Sequence, residues 1–318
     1  MRDPKQESGV AFVTGAGGFL GSAVAAGLAG AGWRVAGFGR APRIVGGPLP
    51  ETFVEGDIAH ADLVRAAERL GAPQLVFHAA GGASVGASLA DPDGDRDRTV
   101  GSLREVLDFL REAAPDARLI YPSSAAVYGD AASGPISEDA PLRPVSPYGR
   151  NKLEAEQLIM DEHAARGLDT AIVRFFSAYG PGLRKQLLWD LAGRLASAPA
   201  AIELGGTGDE ARDFLFVDDA VALVTLLARR DRAASPLILN GGAGQPVSVR
   251  QIADLLRDAL GSRAEIRFSG QGRPGDPRSL VADVSAAGDL GFQPRTSLSE
   301  GVARYARWLM SERAPSNL

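Results

Sequence analysis

A tyrosine and a lysine lie four residues apart in the segment SPYGRNK, residues 146–152. Residues i and i+4 of a helix are neighbours, so the Tyr148 phenol and the Lys152 ammonium would share one face. A free phenol has a pKa of about 10 and is a poor base near neutrality. Because a nearby cation favours the ionised form, the pair predicts a tyrosine that takes a proton from a hydroxyl group or returns one to a ketone.

Lysine is rare in this chain, which makes its presence at position 152 informative. Only three of the 34 basic residues are lysines, at positions 5, 152 and 185. With five tyrosines in 318 residues, chance gives such a pair about 0.05 times, so a coincidence on a solvated helix face is disfavoured. A compact ammonium can also bond ribose hydroxyl groups, which is a reason for lysine rather than arginine.

Two serines end the predicted strand RLIYPSS, residues 118–124. Ligands of open α/β sheets bind beyond the carboxyl ends of the strands. Ser123 or Ser124 could therefore bond the same substrate oxygen that Tyr148 serves, although either hydroxyl could instead satisfy a loop.

The segment VTGAGGFLGS places Gly15, Gly18 and Gly21 between the first predicted strand and the first predicted helix. Such a turn lets the backbone approach a pyrophosphate, whose charge is met by the helix N-terminus. The position of the turn favours a dinucleotide site, with Phe19 and Leu20 as further contacts, over a turn without a ligand.

The predicted cofactor is NAD or NADP. The second strand of such a fold usually ends in an acid that bonds the adenine ribose of NAD, but here Gly39 and Arg40 stand at that place. Arg40 could hold the 2′-phosphate of NADP or stack on the adenine. Asp57, at the end of the third strand, could bond the adenine amine or cap the next helix.

Short apolar runs, which we interpret as strands, alternate with helical segments along the chain. These elements must position the candidate residues named above. This rhythm predicts an α/β fold, a Rossmann-type doubly wound parallel sheet with a smaller C-terminal substrate-binding lobe. We expect a dinucleotide-binding domain over residues 1–175, with 214–243 returning to it, and a smaller substrate lobe over 176–213 and 244–318; the family resemblance given below implies that the substrate of this lobe is a nucleotide sugar. Predicted strands include 118–124 and 170–177, and predicted helices include 19–32, 95–114 and 147–166.

Composition restricts the partners. A net charge of −5 without a basic block does not favour nucleic acid or an anionic membrane. The absence of cysteine excludes disulfides and cysteine nucleophiles, and the three histidines show no metal-ligand spacing, so no metal is predicted. The polar N-terminus lacks a signal-peptide core and no apolar run approaches about 20 residues, so we expect a cytoplasmic protein.

Seven segments in order resemble the NAD-dependent epimerase/dehydratase family of extended short-chain dehydrogenase/reductases, in particular its UDP-glucose 4-epimerase-like members. They are TGAGGFLG, HAAG, SSAAVYG, SPYGRNK, VRFFSAYGPG, RDFLFVDDA and GRPGDPRSLVADVS. The resemblance implies that Ser124, Tyr148 and Lys152 are catalytic. It also implies that Gly15, Gly18 and Gly21 bind the pyrophosphate and that Asp57 and Ile58 contact the adenine. Ala79 and Ala80 would lie in the loop that runs beside the cofactor.

The resemblance further implies a bound nucleotide sugar, linked to UDP, GDP, dTDP or CDP. Its implied substrate-binding residues are Ser124, Ser177, Arg212, Arg273 and Asp276. Arg212 and Arg273 would neutralise the diphosphate. The alternative is that each arginine only forms an ion pair at the surface.

Three departures from the family pattern narrow the activity. Ala125 and Ala126 stand where dehydratases carry an acidic pair, which disfavours a 4,6-dehydratase. Ser177 replaces a frequent asparagine, and the segment GPGLRKQLLWDL lacks the Pro-Arg pair of UDP-glucuronate epimerases, which argues against a uronic acid.

The leading hypothesis is a nucleotide-sugar 4-epimerase that works through a transient 4-keto intermediate. The alternative is an NADPH-dependent 4-ketoreductase of a 6-deoxy-4-keto nucleotide sugar, which Gly39 and Arg40 favour. A non-catalytic dinucleotide-sensing regulator is less favoured, since Tyr148 and Lys152 are both present. Relatives often dimerise through the helices near 95–114 and 147–166, so we expect a homodimer, with Leu103, Val106, Leu107 and Leu110 serving either the contact or the core.

Overall fold

The computed structural model describes residues 9–41, 47, 50–130, 134–232, 234–271 and 277–313. Its first elements are β1 (Val10–Thr14), α1 (Phe19–Gly30), β2 (Arg34–Gly39), β3 (Thr52–Glu55), α2 (His60–Leu70), β4 (Leu75–His78), α3 (Val85–Ala90), α4 (Pro92–Arg96), α5 (Ser102–Ala113), β5 (Arg118–Ser124), α6 (Pro147–Arg166) and β6 (Thr170–Phe175). They are followed by β7 (Ser177–Tyr179), α7 (Gln186–Leu195), β8 (Ala201–Leu204), β9 (Ala211–Arg212), β10 (Phe214–Phe216), α8 (Val217–Ala228), β11 (Leu237–Gly241), β12 (Val247–Ser248), α9 (Val249–Ala259), β13 (Glu265–Phe268), β14 (Ser279–Leu280), α10 (Ser285–Asp289) and α11 (Leu298–Arg313). Among these helices, none combines the length and the apolar character needed to cross a membrane.

Seven strands form a central sheet in the order β11-β6-β5-β4-β1-β2-β3. The pairings from β3 through β6 are all parallel. The strand order reverses direction between β1 and β4, so these two strands flank the switch point at which such folds bind their ligands. The predicted Rossmann-type doubly wound sheet is confirmed.

The inner strands of this sheet are largely buried because helices cover both faces. All residues of β1 and β4 are buried. Phe12 on β1 lies at the centre of the core, with its ring 5.2 Å from Phe38 and 5.7 Å from Phe109. The core also contains the four apolar residues of α5 that were considered for a dimer contact, Leu103, Val106, Leu107 and Leu110. These four side chains therefore serve the core.

The chain forms two compact units. The first comprises Met1–Gly129, Pro141–Phe175 and Val221–Leu239, and it holds the central sheet with its helices. The second comprises Asp130–Ala140, Phe176–Ala220 and Asn240–Leu318. Its strands form small sheets with the orders β10-β7, β12-β9-β14 and β13-β8.

Two predicted elements are interrupted in the structure. The strand expected over 170–177 ends at Phe175, and Ser177 begins a separate strand whose backbone N–H donates to Asp213 O at 2.8 Å. The helix expected over 95–114 is divided by a π-helical turn at Asp97–Gly101, which separates α4 from α5.

We expect Phe12→Ala to lower the free energy of unfolding by about 3–5 kcal/mol, since it removes a ring from the centre of a packed core and leaves a cavity. Urea unfolding followed by circular dichroism measures the loss. Leu89→Ala is the matched control, because 63% of the Leu89 side chain is exposed, and its stability should change little. Equal losses in the two variants would contradict this description of the core.

Candidate active site

The helix that carries Tyr148 and Lys152 begins and ends where its sequence predicts. Ser146 is the N-cap, and its hydroxyl accepts a hydrogen bond from Gly149 N at 3.1 Å. Pro147 occupies the first position, which its fixed φ favours. Gly167 ends the helix in the left-handed conformation, with φ of 70°. These signals fix α6 over residues 147–166, as predicted.

Ser124, the last residue of β5, acts on the Tyr148 phenol by hydrogen bonding that lowers the pKa of the phenol. Ser124 Oγ also accepts from the backbone N–H of Ala126 at 3.2 Å, which holds the serine at the carboxyl end of the sheet. The backbone N–H of Tyr148 donates to Ser88 Oγ at 3.0 Å, so α3 fixes the first turn of α6. The structure therefore brings two of the predicted catalytic hydroxyl groups together.

Lys152 is buried on the same side of α6, with 5% of its surface exposed. Its ammonium donates to the carbonyl oxygen of Pro122 at 2.9 Å and lies 4.7 Å from the centroid of the Tyr121 ring. The same nitrogen is 6.0 Å from the centroid of the Tyr148 ring. A cation thus stands beside the phenol, as predicted from the spacing.

Burial dominates the pKa of Tyr148 in the protein alone. Burial raises the pKa of the phenol above its ordinary value, the hydrogen bond from Ser124 lowers it, and the charge of Asp95 raises it further. The lowering of this pKa by Lys152 together with the positive nicotinamide ring of an oxidised cofactor stays a prediction for the cofactor-bound enzyme. Burial disfavours the charged phenolate. This effect on the pKa is larger than the opposite effect of the Ser124 hydroxyl group.

Ser123, the other candidate serine, belongs to a buried ion-pair network. Its hydroxyl donates to Glu156 on α6, and Arg174 on β6 donates to the same carboxylate with Nη2–Oε2 at 2.8 Å. Arg174 Nη1 also donates to Tyr128 Oη at 3.1 Å. Arg174 and Glu156 are 2% and 3% exposed, so this network positions α6 on the sheet and leaves Ser124 as the serine beside Tyr148.

The glycine turn after β1 packs closely on the segment that follows β4. Gly15 has φ of +66°, and a Cβ atom there would lie 2.6 Å from the carbonyl carbon of Ala79 and 2.7 Å from Ala80 N. A Cβ atom at Gly21 would lie 2.1 Å from Gly15 O. Both positions require glycine, which places the start of α1 close to Ala79 and Ala80.

The residues at the start of α1 fit the pyrophosphate of a dinucleotide. Gly18 is the exposed N-cap residue, and Phe19 and Leu20 begin the helix. Within the described part of the chain, no side chain caps this end by a hydrogen bond, and the first turn contains no acid. The N–H groups and the helix dipole are thus left to bind an anion.

Thr14 and His78 form the floor beneath this turn. His78 Nδ1 lies 2.7 Å from Thr14 Oγ1, and the backbone N–H of Ala80 donates to the same oxygen at 3.2 Å. The backbone N–H of Ala79 donates to Thr14 O at 3.1 Å. These bonds fix the two alanines that were predicted to pass the cofactor.

Arg40 and Asp57, both predicted cofactor contacts, form an ion pair with each other. Arg40 Nε lies 2.9 Å from Asp57 Oδ1, and the two side chains are 68% and 83% exposed. Asp57 does not cap the following helix, because the N-cap of α2 is Ala59. Ile58, the other predicted adenine contact, packs against the hydrophobic core.

The remaining predicted residues lie in the second unit or outside the described residues. Ser177 begins β7, and Arg212 ends β9, where its guanidinium donates to the backbone oxygen of Ala211 at 2.8 Å. Ser177 N bonds the residue after Arg212, so the two backbones are neighbours. Arg273 and Asp276 fall outside the described residues.

Sequence reasoning did not identify Glu156, Arg174 or Tyr121 as parts of the site. Glu156 follows Lys152 by four residues, so its place on the same face of α6 was a usable signal. Arg174 and Tyr121 could be identified only once the pairing of β5 with β6 was known, which places Ser123 opposite Arg174.

A doubly wound sheet with a glycine turn after β1 and a Ser–Tyr–Lys set beyond β5 is typical of short-chain dehydrogenase/reductases. A family model described as the NAD dependent epimerase/dehydratase family matches residues 11–242. The UDP-glucose 4-epimerase of Azospirillum brasilense is 34% identical over 330 residues, which cover 96% of this chain and 93% of the relative.

Solved structures agree with this assignment. The UDP-glucose-4-epimerase from Stenotrophomonas maltophila, with bound NAD and formylated UDP-arabinopyranose, is 26% identical and has a TM-score of 0.86, covering 97% of this chain and 100% of that one. MoeE5 in complex with UDP-glucuronic acid and NAD is 32% identical with a TM-score of 0.83, covering 96% and 99%.

The chain therefore belongs to the NAD-dependent epimerase/dehydratase family. It is an NAD-dependent enzyme of the extended short-chain dehydrogenase/reductase type.

We expect Glu156→Gln to lower the free energy of unfolding by about 3–5 kcal/mol, because it leaves the Arg174 guanidinium buried without its counter-charge. Thermal and urea denaturation measure the loss. Glu154→Gln on the same helix is the control, since Glu154 pairs with Arg96 at the surface and exposed pairs contribute little. A loss no greater than that of the control would refute the structural importance of the network.

Proposed function

We propose that this enzyme is an NAD-dependent nucleotide-sugar 4-epimerase in which Tyr148 is the acid/base. The observation that carries the proposal is the buried Lys152 ammonium, which lies 6.0 Å from the centroid of the Tyr148 ring. Ser124 supports the proposal, because it lowers the pKa of the same phenol by hydrogen bonding. The names of the similar proteins support the epimerase reading, and nothing among them favours the ketoreductase.

In the proposed reaction, Tyr148 removes the proton of the C4 hydroxyl group and later returns it to the 4-keto oxygen. When bound, NAD would accept a hydride from C4 and would then return it to the opposite face of the same carbon. Ser124 orients the sugar oxygen toward the phenol, since it already bonds that phenol. No net oxidation results, so the reaction requires no external reductant.

The protonation state of Tyr148 suits the second half of this reaction. Burial keeps the phenol protonated, which is the form that returns a proton to the 4-keto oxygen. Removal of the C4 proton requires the phenolate, and the Lys152 ammonium favours this form by charge. Lys152 would also bond the nicotinamide ribose.

We propose that the cofactor is NAD and that the first unit binds it. Gly15, Gly18 and Gly21, with Phe19 and Leu20, would hold the pyrophosphate at the start of α1. Asp57 and Ile58 would contact the adenine, and Ala79 and Ala80 would pass the nicotinamide half. The exposed pair of Arg40 with Asp57 is weak enough to open for a ligand, after which Arg40 would cover the adenine.

The proposed substrate is a UDP-linked sugar. The resemblance to the family implies that Ser124, Ser177, Arg212, Arg273 and Asp276 bind it. The substrates tested should include UDP-linked uronic acids, because the structure of MoeE5 was solved with UDP-glucuronic acid as well as with UDP-glucose.

The experiment that tests the activity is incubation of the purified enzyme with NAD and a panel of UDP-sugars. The panel contains glucose, N-acetylglucosamine, glucuronic acid and arabinose derivatives, and NMR or chromatography separates the C4 epimers. We expect interconversion of at least one pair without change in total NADH. Reduction of a 4-keto sugar with stoichiometric consumption of NADPH, and no epimerisation, would overturn the proposal.

Tyr148→Phe should lower kcat by about 10²–10⁴-fold, the usual contribution of a general acid/base, while NAD binding stays within a few-fold of wild type. Isothermal titration with NAD separates the two effects.

The adjacent serines provide a matched pair. Ser124→Ala should lower kcat at nearly unchanged stability, and Ser123→Ala should lower stability with a smaller effect on kcat. The reverse pattern would contradict the assignment of Ser124.

Arg40→Ala should weaken NAD binding only modestly, because Arg40 is exposed and would contact the adenine by stacking. Gly15→Ala should abolish NAD binding, since its Cβ would collide with the Ala79 backbone. Titration calorimetry with NAD and NADP measures both variants. If wild type binds NADP more tightly than NAD and Arg40→Ala removes this preference, Arg40 holds a 2′-phosphate and the cofactor proposal is wrong.

A further inference from the structure

Gly149, which directly follows Tyr148 in the first turn of α6, packs against the turn that follows Ser124. A Cβ atom at Gly149 would lie 2.6 Å from Ala126 O and 3.0 Å from Pro144 Cβ. Cβ contacts in proteins essentially never fall below 3.0 Å, and the nearest atom here belongs to the backbone. Position 149 therefore has no room for a side chain.

Backbone conformation does not explain this glycine. Gly149 lies inside a helix and its φ is not positive, so any L-residue could adopt the same backbone. Glycine is also less favourable than alanine within a helix. Gly149 N donates to Ser146 Oγ at 3.1 Å, but every residue except proline supplies that donor. Close approach of two backbones is thus the property that position 149 requires.

The two backbones that meet here carry Ser124 and Tyr148. Ala126 N donates to Ser124 Oγ at 3.2 Å, so the short helical turn Ala125–Val127 is bonded to the serine side chain. On the other side, Tyr148 N donates to Ser88 Oγ at 3.0 Å, which fixes the first turn of α6 against α3. The separation of Ala126 O from Gly149 therefore sets how closely the serine and the tyrosine approach each other.

The helix α6 is anchored more firmly than the turn Ala125–Val127. Three buried bonds hold the middle of α6, namely Lys152 Nζ to Pro122 O at 2.9 Å, Asn151 Nδ2 to Asp95 Oδ2 at 2.8 Å and Arg174 Nη2 to Glu156 Oε2 at 2.8 Å. The turn contains only three residues. A side chain at position 149 would therefore displace the turn rather than the helix, and the Ser124 hydroxyl group would move with it.

We propose that Gly149 is a positioning residue of the catalytic centre, because its missing side chain lets the turn after Ser124 lie close to Tyr148. The proposal rests on the proposed roles of Ser124 and Tyr148. For an alanine, the distance from Cβ to Ala126 O would have to increase from 2.6 Å to an ordinary 3.4 Å, or by about 0.8 Å. A misplacement of about 1 Å can reduce turnover by about 10²-fold.

The first measurement compares the crystal structures of Gly149→Ala and wild type. The distance from Ser124 Oγ to Tyr148 Oη should increase by about 0.8 Å in the variant, while the bonds of Lys152 and Glu156 stay in place. Gly30→Ala is the matched control, because Gly30 is also helical and a Cβ atom there would meet nothing within 4 Å. Its distance should equal that of wild type.

This structural measurement needs no turnover. Absence of epimerase activity would therefore refute the proposed function without affecting the test of Gly149.

A double-mutant cycle shows whether Gly149 acts through Ser124. Gly149→Ala alone should lower kcat by about 10–10²-fold, while the NAD affinity measured by titration calorimetry stays within a few-fold of wild type. In Ser124→Ala, the hydroxyl group that the displaced turn would carry is absent, so adding Gly149→Ala should lower kcat by less than about threefold more. A general structural defect would lower kcat by the same factor in both backgrounds.

Three results would overturn the proposal. One is a wild-type crystal structure in which a Cβ atom built on Gly149 lies more than 3.4 Å from every neighbouring atom, which can be observed even if Gly149→Ala does not fold. Another is an unchanged distance from Ser124 Oγ to Tyr148 Oη in Gly149→Ala. The last is an equal loss of kcat from Gly149→Ala with and without the Ser124 hydroxyl group.

Discussion

The ion pair between Glu156 and Arg174 is the interaction on which the proposed site depends. It joins α6 to β6, and through Ser123 it joins both to β5. Those elements carry Tyr148, Lys152 and Ser124, so their mutual geometry is set by a buried network beneath them. A buried ion pair often adds little net stability, but the loss of one partner is severe. The pair therefore specifies one arrangement of α6 on the sheet.

The helix α6 is held from several sides, and each contact fixes a different part of the turns that carry the candidate catalytic residues. The carbonyl of Pro122 binds the Lys152 ammonium, Ser88 binds the backbone of Tyr148, and Asp95 binds Asn151. Such support restricts the motion of the phenol and the amine to a narrow range. Acid/base groups act efficiently when their orientation is fixed before the substrate arrives.

Local signals in the sequence were sufficient for most of the elements and for the grouping of Tyr148 and Lys152 on one helix, but not for the breaks after Phe175 and at Asp97–Gly101. The cap at Ser146 and the stop at Gly167 determine α6, and both act over a few residues. The sequence did not distinguish Ser123 from Ser124, because that distinction depends on Arg174 from the next strand. Likewise, the spacing shows that Lys152 lies near Tyr148, but it does not show that the phenol is buried and that burial raises its pKa. Such non-local terms require the assembled sheet.

The Thr14–His78 contact beneath the glycine turn has a consequence for cofactor binding. With a pKa near 3, this imidazole keeps one charge state across every pH at which the enzyme would work. The hydrogen bonds that hold the turn and the Ala79–Ala80 segment therefore do not change while the Tyr148 phenol on α6 gains or loses its proton. In the proposed site, cofactor binding would not vary with pH through this histidine, whereas proton transfer by Tyr148 would.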